Sequence, residues 1–538
     1  MLSIKNWADN RQQWEDKGVA LPTYDVAAAK SAGAKQPHLI HLGGGNLYRT
    51  FHAKIAQQLL DEGLMDRGVV VADVHSDHTI KNVYRPFNDD ILMVTMNEDG
   101  TLGKEVLAST AKSLFANPSD AEDWAQAKAY FESPELQLVT VTITEKGYAL
   151  RGADGELTES ARAEQTNGPA APLTSMGIVA ALLYARFEAG AAPIAMVTTD
   201  NFSQNGRRFR ESVVTVAEGW LANGKVAQDF VDYVSDEARV SFPWSMIDRI
   251  TPNPSEDVAA KLEAEGFTDV ELVKHPHGAA FASFANTENA HYLVIEDSFP
   301  NGRPPLERAG VIMTDRATAE KADTMKVTAC LNPLHTCLAI YGCLLGYTRI
   351  WQEMEDADLV ALIKHLGYDE DLPVVVDPKV IDPHAFIEEL LTRRLPNKAL
   401  PDAPQRIASD TSQKVPIRYG HTLNAYAAAP DKDPATLTYI PLVIAGWLRY
   451  LLGVDDKGEA FIPSPDPLLA ELQAHLTDIK LGCTDAAAVH AAVQPILSNR
   501  EIFACDLYEL GLGEKVEGMF LEELAGAGAV RATIKAYI

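Results

Sequence analysis

Residues 325–336, MKVTACLNPLHT, set Lys326, Asn332 and His335 into an otherwise apolar run, with Pro333 directly behind the asparagine. Such a run reads either as a core helix that tolerates three polar side chains or as a segment where chemistry happens. Cys330, His335, Cys337 and Cys343 also invite a metal reading there. Their spacings, C-x6-C and C-x5-C, are wider than the tight pairs zinc sites use. Free cysteines in an apolar run are small buried hydrophobes, so no metal is expected.

Other residues could bind rather than react. Arg406 and Lys414 bracket RIASDTSQK, with Asp410 between them. Two fixed cations beside a cleft would hold a carboxylate or several hydroxyls, whereas on a solvated face they would hold nothing. Asp200-Asn201 ends the run PIAMVTTDN and is followed by Asn205-Gly206. A neutral amide at a strand end can hold a substrate oxygen without competing for protons, although the same residues are common in turns.

Gly43-Gly44-Gly45-Asn46-Leu47-Tyr48 keeps the first two glycines of a dinucleotide fingerprint, for the tight turn and the approach of backbone to pyrophosphate. Tyr48 stands where the third, a helix-packing glycine, is usual. Asp73 could accept hydrogen bonds from an adenosine ribose and would disfavour a 2′-phosphate. It lies 28 residues beyond Gly45, against the ~20 usually found. Asp77 competes for that role, and Arg85 follows both, so NAD and NADP stay open on these residues.

The elements that would position these groups are strand, glycine turn, helix and strand over 38–77. Further strands are expected at 91–100, 136–144 and 193–201, with a helix over 174–189. Strands alternating with helices give a mainly parallel sheet, whose ligands gather at the carboxyl ends of the strands. The polar stretch 151–172 reads as a surface loop or excursion. Beyond about residue 300 helical patterns dominate. The expected domains are 1–300, α/β, and 301–538, mostly α-helical. LTYIPLVIAGWLRYLLGV, 437–454, carries Pro441 and Arg449 and reads as a buried helix rather than a membrane span.

The chain as a whole sets limits. Its 538 residues exceed one ordinary core, and 46% hydrophobic with 23% charged residues is a globular composition. A net charge of −28 argues against nucleic acid or an anionic membrane as partner. Five cysteines and an N-terminus without a leader pattern point to the cytoplasm. Nothing in the pattern specifies an oligomer, and a monomer is allowed.

Taken in order, HLGGGNLYR, TITEKGY, TTDNFSQNG, SMIDRITP, YLVIEDSFPNGRPPLE, CLNPLH and RIASDTSQK resemble the long-chain, zinc-independent mannitol dehydrogenase family, which includes fructuronate and tagaturonate reductases. The resemblance implies a Rossmann-type N-terminal domain, a helical C-terminal domain and an active site in the cleft between them. It implies cofactor contacts at Gly43, Gly45, Asn46, Leu47, Asp73, Thr144 and Glu145, with NAD the expected cofactor. Lys326 becomes the acid/base, Asn201 and Asn332 the amides on the reacting oxygen, and His335 a hydrogen-bonding partner beside it. Arg406, Lys414 and Asp248 become substrate-side residues.

The chemistry is consistent with those roles. A lysine taken out of water loses part of its preference for charge, so it can exchange a proton with the substrate oxygen near neutrality. One spacing departs from the family. Lys326 precedes Asn332 by six residues and His335 by nine, each one more than in the relatives. On a regular helix, nine residues put two side chains ~180° apart and eight leave them within about 80°. Either a new helix capped by Asn332 or a one-residue bulge would repair this. The expected reaction is NAD-dependent interconversion of D-fructuronate and D-mannonate. Tagaturonate reduction and mannitol or arabinitol oxidation are the alternatives within the family, and a non-catalytic nucleotide sensor is the alternative outside it.

Overall fold

Short apolar runs in the N-terminal half form a six-stranded sheet in the computed structural model, which describes residues 2–152, 155–274 and 280–538. Numbered in chain order, its strands are β1 (Leu39–Leu42), β2 (Val69–Asp73), β3 (Thr110–Phe115), β4 (Leu138–Val141), β5 (Ile194–Thr198) and β6 (Val240–Ser241). They lie in the order β3-β2-β1-β4-β5-β6, and every pair is parallel. This is a doubly wound Rossmann-type sheet, whose order reverses between β1 and β4.

The pleat explains why these runs lack polar alternation. Ile40, Leu42, Val70, Ala72, Val139 and Val141 belong to one core, while Leu39, Val69, Val71 and Leu138 belong to a second. A strand covered on both faces is mostly apolar, and each buried Val or Leu contributes ~1.5–3 kcal/mol. The polar pair at the centre, His41 of β1 and Thr140 of β4, is buried with its ring nitrogen and hydroxyl 2.7 Å apart. The second core includes α1 (Ala53–Asp61), and the first includes α2 (Ser175–Glu188) and α3 (Asn205–Ala222).

The sequence reading placed no strand at β3 (Thr110–Phe115), and two expected features take another form. The strand at Ile91–Met96 lies outside the parallel sheet. It pairs antiparallel with Leu102–Leu107 and parallel with Phe284–Thr287. The polar stretch 151–172 holds a helix, Glu159–Asn167, capped by Thr158. Its buried Glu164 accepts from the Leu173 and Thr174 amides at 2.6 and 2.7 Å, tying the helix to the start of α2 through polar contacts that apolar periodicity does not reveal. Residues 153 and 154 of that stretch lie outside the described residues.

The chain divides into two compact units, Met1–Glu320 and Lys321–Ile538. The second is built of helices. Its first long stretch joins α4 (Arg316–Met325), a π turn (Lys326–Cys330) and α5 (Asn332–Leu345). By length and composition Arg316–Leu345 could cross a membrane, yet 78% of its apolar window is buried inside the fold. Later come α6 (Pro404–Ile407), α7 (Thr411–Arg418), α8 (Tyr439–Leu451) and α9 (Gly513–Glu523). Helix α8 is buried from Ile440 to Leu451. Its Arg449 donates to the carbonyls of Val454, at 2.5 Å, and Asp455, at 2.9 Å, so the one cation of that helix closes the chain beyond its end.

Candidate functional site

In the first unit, the expected cofactor residues gather at the carboxyl ends of the parallel strands. Gly43 follows β1 with φ +118°, and a Cβ there would meet the Thr142 carbonyl at 2.0 Å. Only glycine fits that turn. A Cβ at Gly45 would meet nothing within 4 Å, and the helix begins with Asn46 and Leu47 directly after it. This open backbone at a helix start suits a dinucleotide pyrophosphate. Tyr48 is fully buried and its hydroxyl lies 2.8 Å from Thr110 Oγ1. The residue in the third-glycine position therefore packs beneath the sheet, within a π turn, Tyr48–His52. Arg49 orients Asn46 at 3.3 Å and bonds the Ala282 carbonyl at 2.6 Å.

Asp73 ends β2, and its carboxylate accepts from the His75 amide at 3.1 Å. Asp77, further along, is half-buried and pairs with Lys81 one turn on. Arg85 is ion-paired with Asp123. Between β4 and the short helix Glu145–Tyr148, Thr144 is held at φ +64°, a strained conformation for a β-branched residue. Asp200 holds it there, accepting from the Ile143 and Thr144 amides at 2.8 and 3.0 Å and from the Tyr148 hydroxyl at 2.8 Å. Burial raises the Asp200 carboxyl, and these donors oppose the rise. Glu145 pairs with Arg208 at 2.5 Å. Asn201 follows Asp200 and is exposed. Asn205 is a structural tie, donating to the Asp200 and Ser245 carbonyls at 3.1 and 3.0 Å. Asp248 ends the strand Ser245–Asp248 and is buried.

In the second unit, the lysine, asparagine and histidine share one helical stretch. The Lys326 carbonyl accepts from the Leu331 amide at 3.1 Å, a bond to the fifth residue on. The π turn takes up one residue, so the nine-residue separation of Lys326 and His335 counts as eight and leaves them within about 80°. Of the two repairs the spacing allowed, the bulge is the one present. Asn332 does not cap a new helix: it is already the first helical residue of α5, and Leu331 before it is itself helical. Pro333 has no amide proton to return to the preceding turn, which accounts for irregular geometry at this point. Lys326 is 1% exposed, with its ammonium 3.6 Å from Asp323.

Helices α6 and α7 pack on α5; Arg406, on α6, is exposed and paired with Asp402, and Lys414, on α7, is half-buried. Asp402 stands between His335 Nε2, at 3.5 Å, and Arg406. Burial alone would raise the Asp402 carboxyl, but His335 and Arg406 outweigh it and pull it down to about 2. Asp402 therefore stays ionised and gives the imidazole a fixed counter-charge, at ion-pair distance rather than as a tight hydrogen bond. Lys414 donates to the Ile407 carbonyl at 3.1 Å and to the Ser409 carbonyl, two of its three ammonium protons. Burial, and then Arg418 and Arg406 nearby, lower its pKa to about 8, against the opposing pull of Asp410 and Asp466.

Sequence reading did not single out Asp323, Asp402, Thr336 or Arg418. Their signal was helical spacing: Asp323 lies three residues before Lys326, Asp402 four before Arg406, and Arg418 four after Lys414. Cys330, Cys337 and Cys343 are buried and free; burial pushes the Cys343 thiol up to about 12 and the other two higher.

Comparison with known proteins covers nearly the whole chain. Residues 37–308 match the mannitol dehydrogenase Rossmann domain, and residues 320–518 match the mannitol dehydrogenase C-terminal domain. A D-mannonate oxidoreductase of Thermotoga maritima is 48% identical over 528 residues, 98% of this chain and 97% of its own. A substrate-free D-sorbitol dehydrogenase structure matches with TM-score 0.76 at 25% identity, covering 96% of this chain and 97% of its own. A Pseudomonas fluorescens mannitol 2-dehydrogenase, solved as a ternary complex with NAD and D-mannitol, matches with TM-score 0.70 at 26% identity, covering 96% of each chain.

Proposed function

This chain belongs to the mannitol dehydrogenase family, as an oxidoreductase of CH–OH groups, and from that premise we propose that it interconverts D-fructuronate and D-mannonate with NAD(H), without a metal. The observation that carries this reading is its likeness, end to end, to a D-mannonate oxidoreductase. Its buried, unpaired thiols support a cytoplasmic setting.

NAD, when bound, takes up or supplies the hydride. The chain's own residues do the rest. Gly43 and Gly45 open the backbone to the pyrophosphate, Asn46, Leu47, Thr144 and Glu145 line the cofactor's approach, and Asp73 takes the ribose hydroxyls. In reduction, Lys326 donates a proton to the carbonyl oxygen as the carbon gains hydride; in oxidation it takes that proton back from the hydroxyl. Asn332 donates a hydrogen bond to the same oxygen as charge develops on it, the amide role that the family likeness also implies for Asn201. His335, faced by Asp402, supports that oxygen from the neighbouring helical face. Arg406, Lys414 and Asp248 hold the remaining polar groups of the substrate.

Lys326→Ala tests the assignment. Turnover should fall ~10²–10⁴-fold, the range of a lost general acid/base, while NADH titrated by fluorescence binds as to the parent enzyme. Near-normal turnover would refute the role.

A further inference from the structure

A guanidinium that the proposed chemistry leaves unused sits one helical turn from Lys414. Arg418 ends α7, four residues after Lys414, and is half-buried. Side chains at that spacing share a helix face. Its described hydrogen bond goes to the Thr336 hydroxyl. Thr336 in turn donates to the Asn332 carbonyl at 2.9 Å, and the neighbouring Tyr419 hydroxyl donates to the Pro333 carbonyl at 2.8 Å. The guanidinium is thus fixed against the turn of α5 that carries Asn332 and His335.

Two buried arginines here, Arg186 and Arg449, are held by backbone carbonyls. Arg186 donates to the carbonyls of Phe131, Ser133, Leu136, Ala192 and Pro193. Arg449 donates to three carbonyls. Arg418 differs: a guanidinium has five N–H donors, and among the described residues its one bonded partner is a neutral hydroxyl with no carboxylate paired to it. Of the two acids facing Lys414, Asp466 is bonded to Ser412, and Asp410 opposes the lowering of Lys414 without reversing it. Two cations brought together on one half-buried helix face repel, and burial lowers Arg418 to about 10. An anion between them relieves both costs, and a planar carboxylate matches the guanidinium fork.

We infer that Arg418, braced by Thr336, forms with Lys414 the subsite for the substrate's carboxylate and sets the preference for a sugar acid over a neutral sugar. This rests on the keto-uronate reading above and names the residue that enforces it.

The test compares kcat/KM for D-fructuronate with that for D-fructose, NADH being saturating, in the parent enzyme and in Arg418→Gln. The ratio should fall about 10- to 100-fold, the worth of a charged hydrogen bond, mainly through KM for the uronate. Arg418→Lys should fall between the two. Equal losses on both substrates, or an unchanged ratio, would overturn the inference. Should Arg418→Gln not fold, Thr336→Val removes the brace, together with the bond that Thr336 donates to the Asn332 carbonyl, and must lower the same ratio; an unchanged ratio there also overturns it. A parent enzyme that reduces fructose but not fructuronate fails the functional reading before any variant is made. A uronate preference that survives Arg418→Gln fails this inference alone.

Discussion

Lys414 is the residue at which the proposed specificity depends on the fold. Its ammonium is half-buried beside Arg418 and Arg406, and its pKa is lowered to about 8. The acid groups facing it, Asp410 and Asp466, soften that shift without reversing it. A substrate carboxylate is bound by the protonated form, so affinity is full below pH 8 and is lost as pH rises through that value. KM for the keto-uronate should therefore climb between about pH 7 and about pH 9.5, by up to ~10-fold per unit above the pKa. KM for fructose should stay flat across the same range, and Lys414→Met should remove the climb. Parallel curves for both substrates would contradict the assignment. At this scale the sequence made the candidate residues visible, because lysine, asparagine and histidine stand out in an apolar run. It did not reveal their partners: Asp402, Asp323 and Arg418 look like ordinary surface charges until helical spacing folds them onto their targets.

At the level of elements, the glycine turn after β1 separates two roles that look alike in the sequence. Gly43 is required by the fold, with φ +118° and the Thr142 carbonyl 2.0 Å from any Cβ. Gly45 has open space where its Cβ would be. Gly45→Ala should keep the parent melting temperature and weaken NADH binding ~10-fold or more, since the methyl group would occupy the approach of backbone to pyrophosphate. Gly43→Ala should lose stability outright. Unchanged NADH affinity in Gly45→Ala would place the pyrophosphate elsewhere. The central strands were readable because burial on both faces makes them mostly apolar, His41 and Thr140 being buried exceptions. Edge strand β3, TAKSLF, carries polar residues and was missed, as was the helix at Glu159–Asn167, which is held by its cap and by Glu164 rather than by an apolar stripe. The π turn at Lys326–Cys330 was legible only as a spacing anomaly of one residue.

Across the whole molecule, the ordered motifs outweighed any single one. The glycine run was a weak signal alone, and the cations near Asp410 read first as a solvated face; it was the order of the motifs from residue 41 to 414 that pointed to one family. The metal-free chemistry proposed for that family member predicts that prolonged treatment with a chelator leaves kcat unchanged. Activity lost to the chelator and restored by zinc would contradict it. The central claim is tested most directly by steady-state reduction of D-fructuronate, D-tagaturonate and D-fructose with NADH by the purified enzyme. The account predicts the highest kcat/KM for D-fructuronate, with D-mannonate as product; a higher kcat/KM for D-fructose would contradict it.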